Sequence, residues 1–330
     1  MTALTSTAPV AERRLRRPRG LAGAMLRLHR SALWFWLMLV ALAAGVLLWA
    51  AGPGLDAAWA EYRAMGCDRP SPDLGCDYTG PAYGRYDTAV ALGAGSLSVL
   101  PFLTAAWAGA ALIGRELELG TAQLAWTQSV SPARWLAAKL AVPALLLVPG
   151  TLLLTVLHRA LWSSDGPLRV AMSSRAWWGT PTFAANGTLA TAYALLGLAV
   201  GALAGVLLRR ALPASATAVA ALAALLYALD ALRPRLWPTV TVTARDDLPE
   251  PDGIIVESGT LTSSGARVPL PGCTGEASCG DGIAGFYARH HPASHFWPLQ
   301  LMETAVVLTV VALAALTAFR LLRHRTGAAV

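Results

Sequence analysis

A chain of 330 residues that is 55% hydrophobic and only 14% charged, with a mean hydropathy of +0.50, is short of the polar surface a soluble domain needs, where about a quarter of residues are charged. Its net charge of +7 invites a nucleic-acid role. The basic residues instead sit between apolar blocks, which is the pattern of a membrane protein.

Residues 1–19 are polar and basic, a composition expected to stay disordered. The apolar stretch after them is too long and starts too late for a signal peptide, and the Arg13–Arg14 pair stands too far from it for an export signal. Within 20–31, Leu21, Met25 and Leu28 recur at i, i+4 and i+7 with Ala24 beside them, while Arg27 and Arg30 fall elsewhere. This predicts either an amphipathic helix lying on the inner membrane face or a simple extension of the first span.

Six uncharged blocks follow. A bilayer crossing takes about 20 apolar residues, because about 30 Å of hydrocarbon is crossed at 1.5 Å per residue. The predicted spans are 32–51, 89–113, 140–158, 186–208, 212–230 and 299–320, within a transmembrane domain of 32–322 and before a tail of 323–330. Trp34, Trp36 and Trp49 read as interfacial anchors of the first span, and Gly52-Pro53-Gly54 is expected to stop it. Pro101 in the second span, and Pro143 and Pro149 in the third, predict bends. The fourth span carries Gly197, Gly201 and Gly205, a ladder that lets two backbones approach closely in lipid. Its partner is either another span or a second subunit. Pro213 falls near the first turn of the fifth span, where a missing N–H costs nothing. The segment between spans five and six, roughly 232–298, is rich in Pro, Gly and Thr.

With the N-terminus inside, the short inner segments hold 15 basic residues: Arg13, Arg14, Arg16, Arg17, Arg19, Arg27, Arg30, Arg115, Arg134, Lys139, Arg209, Arg210, Arg320, Arg323 and Arg325. The short outer loops hold 6, namely Arg63, Arg69, Arg85, Arg159, Arg169 and Arg175. That asymmetry predicts both termini in the cytoplasm and the basic clusters in contact with anionic headgroups. The expected fold is an all-α integral membrane protein of the plasma membrane, with six helices, a cytoplasmic element between spans two and three, and a long extracellular segment between spans five and six.

All four cysteines, Cys67, Cys76, Cys273 and Cys279, fall in the predicted outer loops. Three pairings exist, and short separations favour Cys67 with Cys76 and Cys273 with Cys279; a zinc site is the alternative. His290, His291 and His295 cluster in the outer segment without a carboxylate at ligand spacing, so they read as interfacial and not as metal ligands.

No Asp, Glu, Lys or Arg lies near the middle of a span, whereas ion-coupled transporters keep such residues at membrane depth. Energy for any transport is therefore expected from outside the membrane. The only lysine, Lys139, is followed by Leu140, so the chain has no phosphate-binding GxxxxGK[ST] loop, and GxSxG, HExxH and CxxC are missing as well. No catalytic, cofactor or metal site is expected in this chain. The remaining informative stretch is RELELGTAQLAWTQSVSPARWLAAK, 115–139, between spans two and three. Gly120 permits a tight turn, Thr121 is a plausible N-cap for a short helix, and no basic residue within the spans is expected to pair Glu116 or Glu118.

This stretch resembles the corresponding part of type-two ABC transporter permeases, which show a pattern close to R-E-x-E-x-G-T, then Q-x-V-S-x-x-R-W and a lysine. Arg115, Glu116, Glu118, Gly120, Thr121, Gln128, Ser131, Arg134, Trp135 and Lys139 stand at those positions. The segment 291–304 is similar to that entering the last span in actinobacterial members. The resemblance implies the membrane subunit of an exporter, moving a hydrophobic or amphiphilic substrate. It implies that Arg115, Glu116, Glu118, Gly120, Thr121 and Gln128 contact a separate cytoplasmic ATPase subunit that holds ATP and Mg, with a second permease copy completing the path. The alternative is a non-transporting accessory or resistance protein that binds a partner or toxin.

Overall fold

A computed structural model describes residues 21–67, 80–128, 130–164, 168, 176–269 and 283–327. A short helix α1, Leu21–Leu28, precedes six long ones. These are α2 (Arg30–Ala64), α3 (Pro81–Glu118) and α5 (Pro132–Ser164), α7 (Leu189–Leu208), α8 (Ala211–Leu232) and α9 (Phe296–Thr326). Two short helices, α4 (Thr121–Thr127) and α6 (Thr180–Ala185), lie between them. The six long helices are each long and apolar enough to cross a bilayer, and each predicted span maps onto one of them.

One local expectation is corrected. Gly52-Pro53-Gly54 does not stop the first span: the chain makes a π-helical turn at Ala50–Gly54 and continues as helix to Ala64. A wider turn absorbs the N–H that Pro53 lacks, and Gly54 leaves room for the Trp49 ring, whose Cζ3 lies 3.1 Å from where a Cβ would be. α1 is set off from α2 at His29 (φ −104°, ψ 28°). Helix α5 runs unbroken through Pro143 and Pro149. Pro101 lies inside α3, which then opens into a π-helical segment at Ala108–Gly114.

Helix α7 is the centre of the bundle, with 72% of its most apolar window buried; for α2 the figure is 6%. The glycine ladder explains the difference. A Cβ on Gly197 would stand 2.2 Å from the Pro101 carbonyl oxygen, one on Gly201 2.5 Å from that of Ala105, and one on Gly205 2.7 Å from the Ile113 Cβ. The ladder therefore seats α7 on α3 of the same chain, which settles the choice of partner. At one end α7 is tied to α9 by Thr188 and Thr304, whose hydroxyls are 2.6 Å apart. At the other, Arg325 Nη1 donates to the carbonyls of Val206 (2.6 Å) and Leu207 (3.1 Å).

The segment after α8 is not wholly irregular. It forms an antiparallel sheet of β1 (Val240–Ala244), β2 (Ile254–Thr262), β3 (Arg267–Pro269) and β4 (Ile283–His291), in the order β1-β4-β2-β3. Alternating Thr and Val at 239–243 is a strand signal, and Gly265 (φ 79°) turns the chain between β2 and β3. The sheet is an addition to the all-helical membrane domain. It lies at the end of the bundle where α8 stops and α9 starts; Glu118, Lys139, Arg209 and Arg325 lie at the opposite, basic end.

Candidate coupling site

At the basic end, α3 finishes its last turn at Glu118 and reverses through Gly120, whose φ of 72° only glycine adopts without strain. Helix α4 follows. Gly120 occupies the cap position, and Thr121 is the first helical residue, so the expected Thr121 cap is corrected: its hydroxyl donates to the Glu116 carbonyl at 3.3 Å. Trp126, in edge contact with Trp135 (5.7 Å between centroids), and buried Ala122 hold α4 to the bundle. Thr121, Gln123, Leu124, Thr127 and Gln128 remain exposed along it.

Both Glu116 and Glu118 have partners within the chain. The Glu116 carboxylate pairs with the Lys139 ammonium, accepts a hydrogen bond from Trp135 Nε1 at 3.2 Å and lies 4.0 Å from His29 Nε2. Lys139 is 2% exposed and also donates to His29 Nε2 at 3.3 Å. A lysine has no acceptor, so His29 carries its hydrogen on Nδ1. Burial, with the Lys139 ammonium beside it, draws the His29 imidazole below its ordinary range against the opposing pull of Glu116. The Glu118 carboxylate accepts the Ala211 N–H at 2.9 Å and so caps the start of α8. Three spans and His29, between α1 and α2, thus meet at the base of α4. Arg115, Glu118 and Leu119 are exposed here as well.

Residues 37–233, more than half of the chain, match the model of the family described as ABC-2 membrane transporter related. The chain belongs to this family. No curated protein and no solved structure matches it.

A second polar centre in this permease lies at the sheet end. Glu303, Gln300 and Tyr193 are buried, with Glu303 fully so. Arg233 Nε donates to Glu303 Oε2 at 2.8 Å and its Nη1 to Asp230 at 2.8 Å, while the Tyr193 hydroxyl donates to Glu303 Oε1. Sequence reasoning took Glu303 only as the edge of the last apolar block. The available signal was an arginine ending the fifth span and an acid starting the sixth, both at one depth. Nearby, His158 and Asn186 form a buried pair at 2.7 Å.

The three outer histidines do not converge on one point: among the described residues no group of His, Cys, Asp and Glu could hold a metal ion. His291 Nε2 donates to the Pro234 carbonyl at 2.9 Å, and His291 Nδ1 lies 3.1 Å from His295 Nδ1. Of the cysteines, Cys67 lies just past α2, packed against the cluster around Tyr83 and Tyr86. Cys76, Cys273 and Cys279 lie outside the described residues.

Proposed function

We propose that this permease is the membrane-spanning subunit of an ABC exporter of the plasma membrane. It takes a hydrophobic or amphiphilic substrate, and a separate ATPase subunit holding ATP and Mg docks on the basic end, which faces the cytoplasm. A second permease copy completes the path. The observation that carries this reading is the turn at Gly120. It presents α4 and its exposed Leu124 and Gln128 to solvent, while Glu116 and Glu118 immediately before it are held by His29, α5 and α8. Force applied to α4 has a direct route into three spans. ATP binding and hydrolysis would shift the spans between states by differential affinity for them. The role given to the glutamates changes accordingly: they carry motion from α4 to the spans, and Leu119, Leu124 and Gln128 meet the ATPase. The test is recovery of the ATPase on tagged permease in mild detergent. Leu124→Asp is expected to lose the ATPase and keep the wild-type elution volume, with Glu257→Ala in the sheet as the control. Equal ATPase recovery from wild type and Leu124→Asp would remove this reading.

A further inference from the structure

The basic end also holds a cavity of about 1150 Å³, which shares Glu116 and Leu119 with the coupling scheme. It opens between α1 and α2 on one side and α3, α4 and α5 on the other. It exceeds the roughly 300–1,000 Å³ of common small-molecule sites. Its lining is segregated. His29, Arg115, Glu116 and Lys139 stand at one end, and the walls beyond are apolar, among them Trp36, Leu100, Leu103 and Leu147. From Lys139 to Leu147 the α5 wall rises about 12 Å, and from Glu116 back to Leu100 the α3 wall runs about 24 Å, at 1.5 Å per residue. One leaflet of hydrocarbon is about 15 Å deep. The cavity is thus a slot with charged groups at the interface and apolar walls for the depth of a leaflet.

The charge at its mouth selects the headgroup. With His29 neutral, Arg115 and Lys139 against Glu116 leave one positive charge. The Glu116 oxygens already accept from Lys139 and Trp135. Arg115 is exposed and makes no ion pair among the described residues. Lys139 donates to Glu116 and His29, and an ammonium has a third N–H to give. Guanidinium and ammonium donors together fit a phosphate. A peptide would carry unsatisfied backbone groups along the apolar walls, whereas an acyl chain carries none.

We propose that this slot binds an anionic phospholipid of the leaflet at the basic end, its phosphate on Arg115 and Lys139 and one acyl chain between α2 and α3. The site belongs to the permease alone and needs neither ATPase nor transported substrate. The test is native mass spectrometry of the purified permease titrated with phosphatidylglycerol, with phosphatidylcholine of the same chains, and with glycerol phosphate as the headgroup alone. Phosphatidylglycerol is expected to bind about tenfold more tightly than phosphatidylcholine, and glycerol phosphate not at all. Arg115→Gln is expected to erase that tenfold preference, Leu103→Trp to weaken both lipids by filling the slot, and Arg134→Gln, an exposed basic residue outside the slot, to change nothing. Equal binding of the two lipids, binding of glycerol phosphate alone, or equal losses in Arg115→Gln and Arg134→Gln would each overturn the proposal.

Discussion

Glu116, at the end of α3, and Lys139, near the start of α5, form an ion pair in which the lysine is 2% exposed and the glutamate 16%. Removing one partner of a buried pair leaves the other as an uncompensated charge, whereas replacing both by apolar groups removes the desolvation cost as well. Glu116→Ala is therefore expected to lower stability by about 3 kcal/mol. The double variant Glu116→Leu with Lys139→Met is expected to recover most of that loss. Thermal unfolding of wild type, Glu116→Leu, Lys139→Met and the double variant in one detergent checks it; additive losses would mean the two side chains act separately.

The α3–α7 seam gives a second expectation. Gly201→Ala places a methyl group 2.5 Å from the Ala105 carbonyl oxygen, so the helices must part. Overpacking of this kind costs about 1–3 kcal/mol. Gly45→Ala in α2 has nothing within 4 Å of the new carbon and is expected to hold or raise stability. The same unfolding assay compares them.

At the sheet end, burial and the neighbouring His291 and His290 hold the His295 imidazole below its ordinary value of 6.5. The folded protein then binds this proton less readily than the unfolded chain. The stability His295 contributes is present above the unfolded value and is lost as the pH falls through the folded one. Hydrogen exchange at β4 and the first turn of α9, corrected for intrinsic rates, is expected to be faster at about pH 5.5 than at about pH 7.5. His295→Gln is expected to abolish the difference.

The sidedness of the bundle can be read by labelling. An impermeant maleimide on intact cells is expected to label Asp247→Cys, between β1 and β2, and to leave Gln128→Cys, at the end of α4, unlabelled. The reverse pattern would invert the topology and place α4 away from any cytoplasmic ATPase.

The cysteine pairs are open to peptide mapping without reduction, which is expected to recover Cys67 linked to Cys76 and Cys273 linked to Cys279. Each short loop closed in this way contributes about 2–3 kcal/mol. Free thiols at all four positions would reject the pairing.

The spans were legible because a bilayer imposes length and composition together, and runs such as 189–208 satisfy both with no charge at all. Gly120 was legible because a left-handed turn has one cheap residue. The partners of Glu116 were not: Lys139 lies 23 residues away and His29 lies 87 away, and only the packing of α2 and α5 on α3 brings them together. Glu303 with Arg233, 70 residues apart, was hidden for the same reason. The sheet went unread because its first strand is short and mostly exposed, so alternation at Val240–Ala244 competes with a composition that reads as loop.

Helices α7 and α9 are pinned to each other near both ends, by the Arg325 guanidinium at one and by the Glu303 and Thr304 contacts at the other. A pair of rods fixed at two points can be tilted but not sheared. A displacement of the tail of α9 is therefore expected to reach the Tyr193 level of α7, some 20 Å away at 1.5 Å per residue. The lightly packed α2 side, with 6% of its most apolar window buried, is left as the more compliant part of the bundle.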